Sequence, residues 1–418
     1  MSYIKLDERN LKFIKVRQEF NCEHLQGLEE VLIDELHHLS PQFKAGMKIG
    51  LAIGSRGISD LLPIVHTTIS FLHDMGVKPF VLPAMGSHGG ATSEGQQKIL
   101  EGYGISENEL GIPVRATMDV VNLSDNPSFP VYMDKIAWES DGVILINRIK
   151  PHTDFHGPYE SGLYKMAVVG LGNHKQAMLF HSLSLNVLKE RLPEVARKIL
   201  HSGKIVGGIA ILENACEKTM QVHVLDAEEI IKKEPGLLNI ARRNQPALPL
   251  KEMDILLVDE IGKDISGIGM DPNIIGRLRI AGEEEPEFPR IRSIIACGLS
   301  KGSHGNALGM GLADVITRKL YEQADLEVMY KNVFTSTLLE RAKIPVIAEN
   351  IKEALEFAFR NNGEVPTGRE TIIRIKNTMQ LNEFWASIPA FEMMKNKSGI
   401  MPLSDPCSMI QENELIPF

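Results

Sequence analysis

A chain of 418 residues is longer than one hydrophobic core usually holds, so two domains are expected. Its 54 acidic and 45 basic residues leave a formal charge of −9, which argues against a nucleic-acid partner, because affinity for a phosphate backbone rests on Lys and Arg. Hydrophobic residues make up 43% and charged ones 24%, the balance of a soluble globular protein, and no run approaches the ~18 apolar residues of a membrane span. The N-terminal MSYIKLDERNLKF has no apolar signal core, so a cytoplasmic location is expected. Cys22, Cys216, Cys297 and Cys407 are scattered without CxxC spacing; the expectation is free thiols in a reducing compartment, with neither a disulfide framework nor a structural zinc site.

Short apolar strands alternate with amphipathic helices through the first half. Lys48–Ile53 reads as a buried strand, and Asp60–Met75 has helical spacing of Leu61, Ile64, Val65, Ile69 and Leu72 before Gly76 stops it. Lys78–Ala84 is the next strand, and Ser93 with Gln96 fits a capping box opening a helix at Ser93. Gly142–Ile149 and Lys204–Leu212 are further strands. The Pro-, Asn- and Arg-rich stretch from Pro235 to Pro249 is the expected domain boundary, giving domains 1–248 and 249–418, with the last ~30 residues able to pack back onto the first. In the second domain, strands are expected near Asp254–Asp259, Ser293–Cys297 and Ile344–Ala348, with helices near Leu308–Tyr321 and Ile351–Phe359. This alternation implies two α/β domains with mostly parallel sheets and an active-site cleft between them.

Ligands bind beyond the carboxyl ends of parallel strands. Three polar residues fall just past such ends: Arg56 in GSRG, His88 in GSHGG and His152 in KPH. An arginine fork suits a carboxylate, and two histidines on opposite sides of a bound carbon suit an acid/base pair of either stereochemical sense, as in a racemase or epimerase. The plain alternative is that both histidines are loop residues donating to backbone carbonyls. Lys165 lies in GLYKMAVVGLG, an apolar run where a lone amine is costly unless it has a partner or a task, such as nucleophilic attack on a carbonyl or thioacid carbon. A snorkelling lysine is the competing reading. His174 and His181, seven apart, share a helix face but are too distant to chelate one ion together. No stretch matches the GxGxxG dinucleotide fingerprint.

In chain order, Arg56, His88, His152, Lys165 and His181 resemble the nickel-pincer-nucleotide lactate racemase family. The matching pieces are GSRG, AMGSHGG, IKPH, ESGLYK and LFH, and SHGNALGMGLADVITRKL with AKIPV looks like that family's second domain. The resemblance implies that Lys165 carries the nickel-pincer nucleotide (the pyridinium-3-thioamide-5-thiocarboxylic acid mononucleotide) through a thioamide link, with Ser161 and Gly162 in its binding loop and His181 as a nickel ligand. It implies that His88 and His152 are the two bases, that a hydride passes to the cofactor through a transient 2-keto acid, and that Arg56 holds substrate charge. Two departures are visible. The loop from His152 to Lys165 is about three residues longer than the family's usual spacing and contains His156, Tyr159 and Glu160, the last expected to point away from a cofactor phosphate. In the second domain MDPNIIGRLR keeps Asp271 and Asn273 but places Arg279, or Arg277 in a shifted register, where the family has a substrate-binding lysine. The resemblance therefore implies an isomerase, a racemase or epimerase of a 2-hydroxy acid, with lactate, a malate-like acid, a sugar acid or another larger acid all open as substrates, loaded by cofactor-biosynthesis enzymes. The alternatives are a 2-hydroxy acid oxidoreductase using the same cofactor and a non-catalytic nucleotide- or nickel-binding homologue. Nothing in the chain marks an oligomer interface.

Overall fold

In the computed structural model of the chain, residues 11–418 are described apart from 56, 125, 127–128, 182–184, 337, 364–365, 367 and 412. The chain forms two compact units: residues 21–245, and residues 1–20 together with 246–418. The first strand, β1 (Phe13–Gln18), thus belongs with the C-terminal half, whereas the sequence reading placed it in the first domain.

The unit 21–245 carries β2 (Lys48–Ile53), β3 (Lys78–Pro83), a small hairpin of β4 (Val120–Asn122) and β5 (Tyr132–Asp134), then β6 (Gly142–Arg148), β7 (Ile205–Glu213) and β8 (Thr219–Asp226). Its main sheet runs β3-β2-β6-β7-β8, parallel except for the last pair. These strands are buried nearly throughout because both faces are covered, which is why they read as unbroken apolar runs. The period of two divides their side chains between two cores: Val143 and Leu145 pack with Phe80 and Leu82, Ile144 and Ile146 with Leu51 and Ile53. The expected helix after β2 spans Leu61–Asp74, with Gly76 left-handed at φ 71° beyond its end. The helix after β3 spans Ser93–Gly102 as expected, but its cap is Thr92, whose hydroxyl accepts from Gly95 N–H at 3.0 Å. Gln96 is instead buried, donating to the Gly86 carbonyl at 3.0 Å.

Pro235 does not begin a linker. It lies inside the helix Ala227–Arg243, which is opened by a capping box of Asp226 and Glu229. A proline has no N–H to give the carbonyl four residues back. That carbonyl, of Ile231, accepts from the Tyr159 hydroxyl at 2.7 Å. A further correction concerns the thiols: Cys22 and Cys216 are joined as a disulfide with Cα atoms 5.4 Å apart, and Cys297 and Cys407 are free.

The other unit is built on an eight-stranded sheet. It contains β1, β9 (Glu252–Val258), β10 (Arg290–Ala296), β11 (Val315–Thr317), β12 (Val346–Ala348), β13 (Ile372–Ile375), β14 (Glu383–Ser387) and β15 (Ile400–Pro402), in the order β12-β11-β10-β9-β13-β14-β1-β15. The stretch from β12 to β13 is parallel, and β14, β1 and β15 add antiparallel pairs. A continuous helix over Leu308–Tyr321 does not form. Val315–Thr317, three buried residues of which two are β-branched aliphatics, make a strand, and a helix occupies only Arg318–Gln323. The C-terminal tail pairs within this unit, β15 lying on β1.

Candidate active site

The carboxyl ends of β3, β2 and β6 are neighbours on one edge of a parallel sheet, so the loops carrying His88, Arg56 and His152 leave from the same rim. Arg56 itself lies outside the described residues. Its neighbour Ser55 is hydrogen-bonded through its hydroxyl to His88 Nδ1, and the Tyr103 hydroxyl donates to the Ser55 carbonyl. The bond forms with either tautomer: the serine donates to a bare Nδ1, or Nδ1–H donates to the serine oxygen and leaves Nε2 bare to take a proton. The His88 ring is exposed.

His152 is held differently. Lys150 and Ser161 exchange backbone hydrogen bonds at 2.8 and 3.2 Å and close the loop that carries it. Inside that loop the fully buried Glu160 accepts from the His152 N–H at 2.6 Å, from Gly157 N–H at 3.0 Å, from His156 Nδ1 at 3.3 Å and from Arg242. Burial pushes the Glu160 carboxyl up, but these donors outweigh it and hold it below the ordinary glutamate value. It faces into the loop. His152 Nδ1 accepts the Asp154 N–H at 2.9 Å, so its neutral ring carries its proton on Nε2.

Lys165 ends a helical turn, Leu163–Lys165, that runs into a wider π-type turn, Met166–Gly170. The lysine is half-buried, with Nζ 5.2 Å from the centre of the Phe155 ring. The His152 ring centre lies 4.4 Å from the same ring. Phe155 therefore brings the predicted base and the predicted cofactor-bearing amine together. The segment 162–170 also reaches the other two loops. Gly86 donates to the Gly170 carbonyl at 3.2 Å, and at φ 61° a side chain on Gly86 would sit 2.9 Å from the Val169 carbonyl oxygen. A side chain on Gly54 would lie 3.7 Å from the Met166 methyl.

Gly162 approaches the carboxylate of Glu234 so closely that a Cβ there would stand 2.3 Å from Oε1. Glu234 is buried on the helix Ala227–Arg243 and accepts the Tyr164 N–H at 3.0 Å. Burial pushes its carboxyl up to about 8, against the lowering effect of the Tyr164 and Leu163 N–H groups. Ser161 is half-buried at the mouth of this turn.

His174 and His181 share the helix Asn173–His181, as expected. His174 Nδ1 is buried without a hydrogen-bond partner among the described residues; the side chain of His181 lies outside them. In the other unit, Arg279 pairs with Asp314 at 3.0 Å and Arg277 with the same carboxylate at 2.6 Å. Arg277 also donates to the Ile291 and Leu312 carbonyls and is mostly buried, whereas Arg279 lines a cavity of about 550 Å³. Of the two registers, it is Arg279 that faces open space. Asp271 caps the turn Pro272–Ile275, accepting from Asn273 N–H at 2.9 Å.

The sequence reading missed Ser55, Tyr103, Phe155, Glu234 and Arg242. Phe155 is three residues from His152 and had a weak local signal, an aromatic in a polar loop. Glu234 and Arg242 had none, since their partners are 70 and 82 residues away.

No family model matches the sequence, and no curated protein matches it either. The structure is similar to that of the lactate racemase apoprotein from Thermoanaerobacterium thermosaccharolyticum, with a TM-score of 0.53 and 12% identity, over 88% of this chain and 99% of that one. At that identity the likeness is one of fold: two α/β units with mostly parallel sheets, arranged along nearly the whole chain. No helix among the described residues is long and apolar enough to cross a membrane.

Proposed function

We propose that this chain is an isomerase that inverts a 2-hydroxy acid at its hydroxyl-bearing carbon, with His88 and His152 as the bases and Lys165 as the attachment point for a nickel-pincer nucleotide. The observation that carries the reading is the shared Phe155 ring, 4.4 Å from the His152 ring and 5.2 Å from Lys165 Nζ, on the sheet edge from which the His88 loop also leaves. The likeness in fold to a lactate racemase supports it.

The residues present fit such a group. A half-buried primary amine at the end of a short turn suits covalent attachment, and Glu160, the acid closest in sequence, spends its charge on Arg242 and backbone donors rather than facing a phosphate. Imidazole suits nickel, and the helix that ends at His181 holds a buried imidazole nitrogen, His174 Nδ1, with no hydrogen-bond partner among the described residues. When bound, the cofactor would supply the acceptor for the electron pair that leaves the substrate carbon. The protein's own part is proton transfer and positioning. One imidazole takes the hydroxyl proton of one enantiomer on an unprotonated ring nitrogen, while the other starts as the imidazolium and gives its proton to form the opposite enantiomer; the two exchange states for the reverse reaction. Arg56 is proposed to hold the carboxylate. The proposed location is the cytoplasm, with loading by cofactor-biosynthesis enzymes.

The test is intact mass and nickel content of protein made in a host that synthesises the cofactor, followed by a chiral assay over 2-hydroxy acids. A nucleotide-sized adduct with about one nickel per chain, absent in Lys165→Ala, is the expected result. Unmodified protein from a host that loads a known lactate racemase would overturn the proposal. An adduct without isomerisation, but with net oxidation of a hydroxy acid, would replace the isomerase by an oxidoreductase.

A further inference from the structure

The helix Ala227–Arg243 touches the loop from His152 to Lys165 at three points. The Ile231 carbonyl, freed by Pro235, accepts the Tyr159 hydroxyl at 2.7 Å. Glu234 accepts the Tyr164 N–H at 3.0 Å and lies against Gly162. Arg242 donates to Glu160 and, at 2.9 Å, to the Gly157 carbonyl. At 100° per residue, positions 231, 234 and 242 fall within about 80° of arc, so they form one face, and 234 and 242 are about 12 Å apart along the axis.

The loop answers this face with a matching set. Gly162 is the one residue type that lets the Glu234 carboxylate reach the turn, since its backbone is extended and any side chain would collide with that carboxylate. Glu234 thereby acts as an N-terminal cap supplied from a different helix, accepting the N–H of the turn whose last residue is Lys165. Tyr164 adds a second hold: its ring stacks on Tyr159 with centres 3.8 Å apart, and its hydroxyl donates to the Pro193 carbonyl at 3.0 Å. A carboxyl group that is wholly buried is a costly thing to keep. A purely structural cap has cheaper solutions, such as Ser, Thr or Asn within the loop itself.

We propose that Glu234 is a positioning residue for Lys165, and that with Arg242 it makes one helix the template that fixes the amine relative to His152. The inference rests on the roles given to Lys165 and His152 above. Glu234 sets the direction in which the turn leaves Gly162, and so the placement of the lysine at its end. Arg242 holds Glu160, which holds the His152 backbone. Because both anchors stand on one helix, the spacing of base and amine is set by that helix rather than by the loop between them.

The experiment reads Lys165 directly, without cofactor or turnover. Full-length protein is acylated with a limiting amine-reactive ester, and labelling of Lys165 relative to the exposed lysines is quantified by peptide mass spectrometry. Glu234→Ala is expected to raise Lys165 labelling several-fold. Glu234→Gln, which keeps the shape and an acceptor oxygen for Tyr164 N–H, is expected to restore the wild-type rate. Arg242→Met is expected to leave Lys165 labelling unchanged while raising modification of His152 by diethylpyrocarbonate. If Glu234→Ala does not fold, Gly162→Ala displaces the same carboxylate and is expected to raise Lys165 labelling in its place. Equal Lys165 labelling in wild type and in whichever of these two variants folds would overturn the proposal, even if the protein proves to be a racemase. Altered labelling in a protein that carries no adduct and isomerises nothing would instead leave the clamp standing and remove the function assigned to the amine it holds.

Discussion

The two proposed bases differ sharply in how they are held. His88 is exposed, and its ring nitrogen is hydrogen-bonded to the Ser55 hydroxyl, on a residue whose carbonyl accepts from Tyr103. His152 is half-buried, its Nδ1 engaged by a backbone N–H and its own N–H bound to a buried carboxylate that a distant arginine neutralises. The chemistry asks the same proton transfer of each, yet one ring stands exposed and the other is set in a loop closed around a buried carboxylate. The lesson is that the enclosed base is the one next to Lys165. A covalently placed group tolerates little error in the residue beside it.

The comparison can be broken by single changes. The largest effect is expected from His152→Ala, a loss of roughly 10²–10⁴-fold in isomerisation measured by a chiral assay. His88→Ala should fall in the same range; if activity survives either change, the two-base scheme is wrong. Next is Glu160→Ala, which leaves the His152 N–H and Arg242 without their shared acceptor and should cost about 1–3 kcal/mol in urea unfolding. Ser55→Ala, on the exposed side, should cost no more than about 1 kcal/mol. Equal costs would erase the distinction between the two loops.

A pH experiment sharpens the same contrast. The Glu234 carboxyl, about 8 when folded against 4.5 when free, binds its proton more tightly in the native state. Its contribution is therefore whole below pH 4.5 and is lost as pH rises toward 8, so stability should decline across that window. Glu234→Gln should flatten the decline, measured as urea midpoint against pH. Ser55→Ala should leave it unchanged.

Much of the sheet was legible because parallel strands covered on both faces are continuous apolar runs, and KIGLAI and GVILINR announce themselves. The positions of His88 and His152 were legible for a topological reason: the residue after a parallel strand is placed by the strand's direction alone. What held those residues was not. Glu160 could be seen in the sequence, but the arginine that makes its burial tolerable stands 82 residues on, in a stretch whose proline and asparagines imitate a linker. Pro235 misled because its cost to the helix is met by a tyrosine hydroxyl from elsewhere. The Cys22–Cys216 pair, separated by 194 residues, gives no spacing to recognise. The strand Val315–Thr317 was hidden in a helical-looking run because three residues are too few to show a period of two.

The assignment of β1 to the C-terminal unit has a consequence for how this protein is made. Residues 21–245 contain every strand of their own sheet and can complete it as soon as they leave the ribosome. The other unit starts first and finishes last. Phe13 and Gln18 emerge before residues 21–245, yet Phe13 pairs with Ser387 and Cys407 and Gln18 with Ile400, so the sheet waits until those later residues are made. Until then β1 has neither of its two neighbours, β14 and β15, and its edges stay open to other pairings.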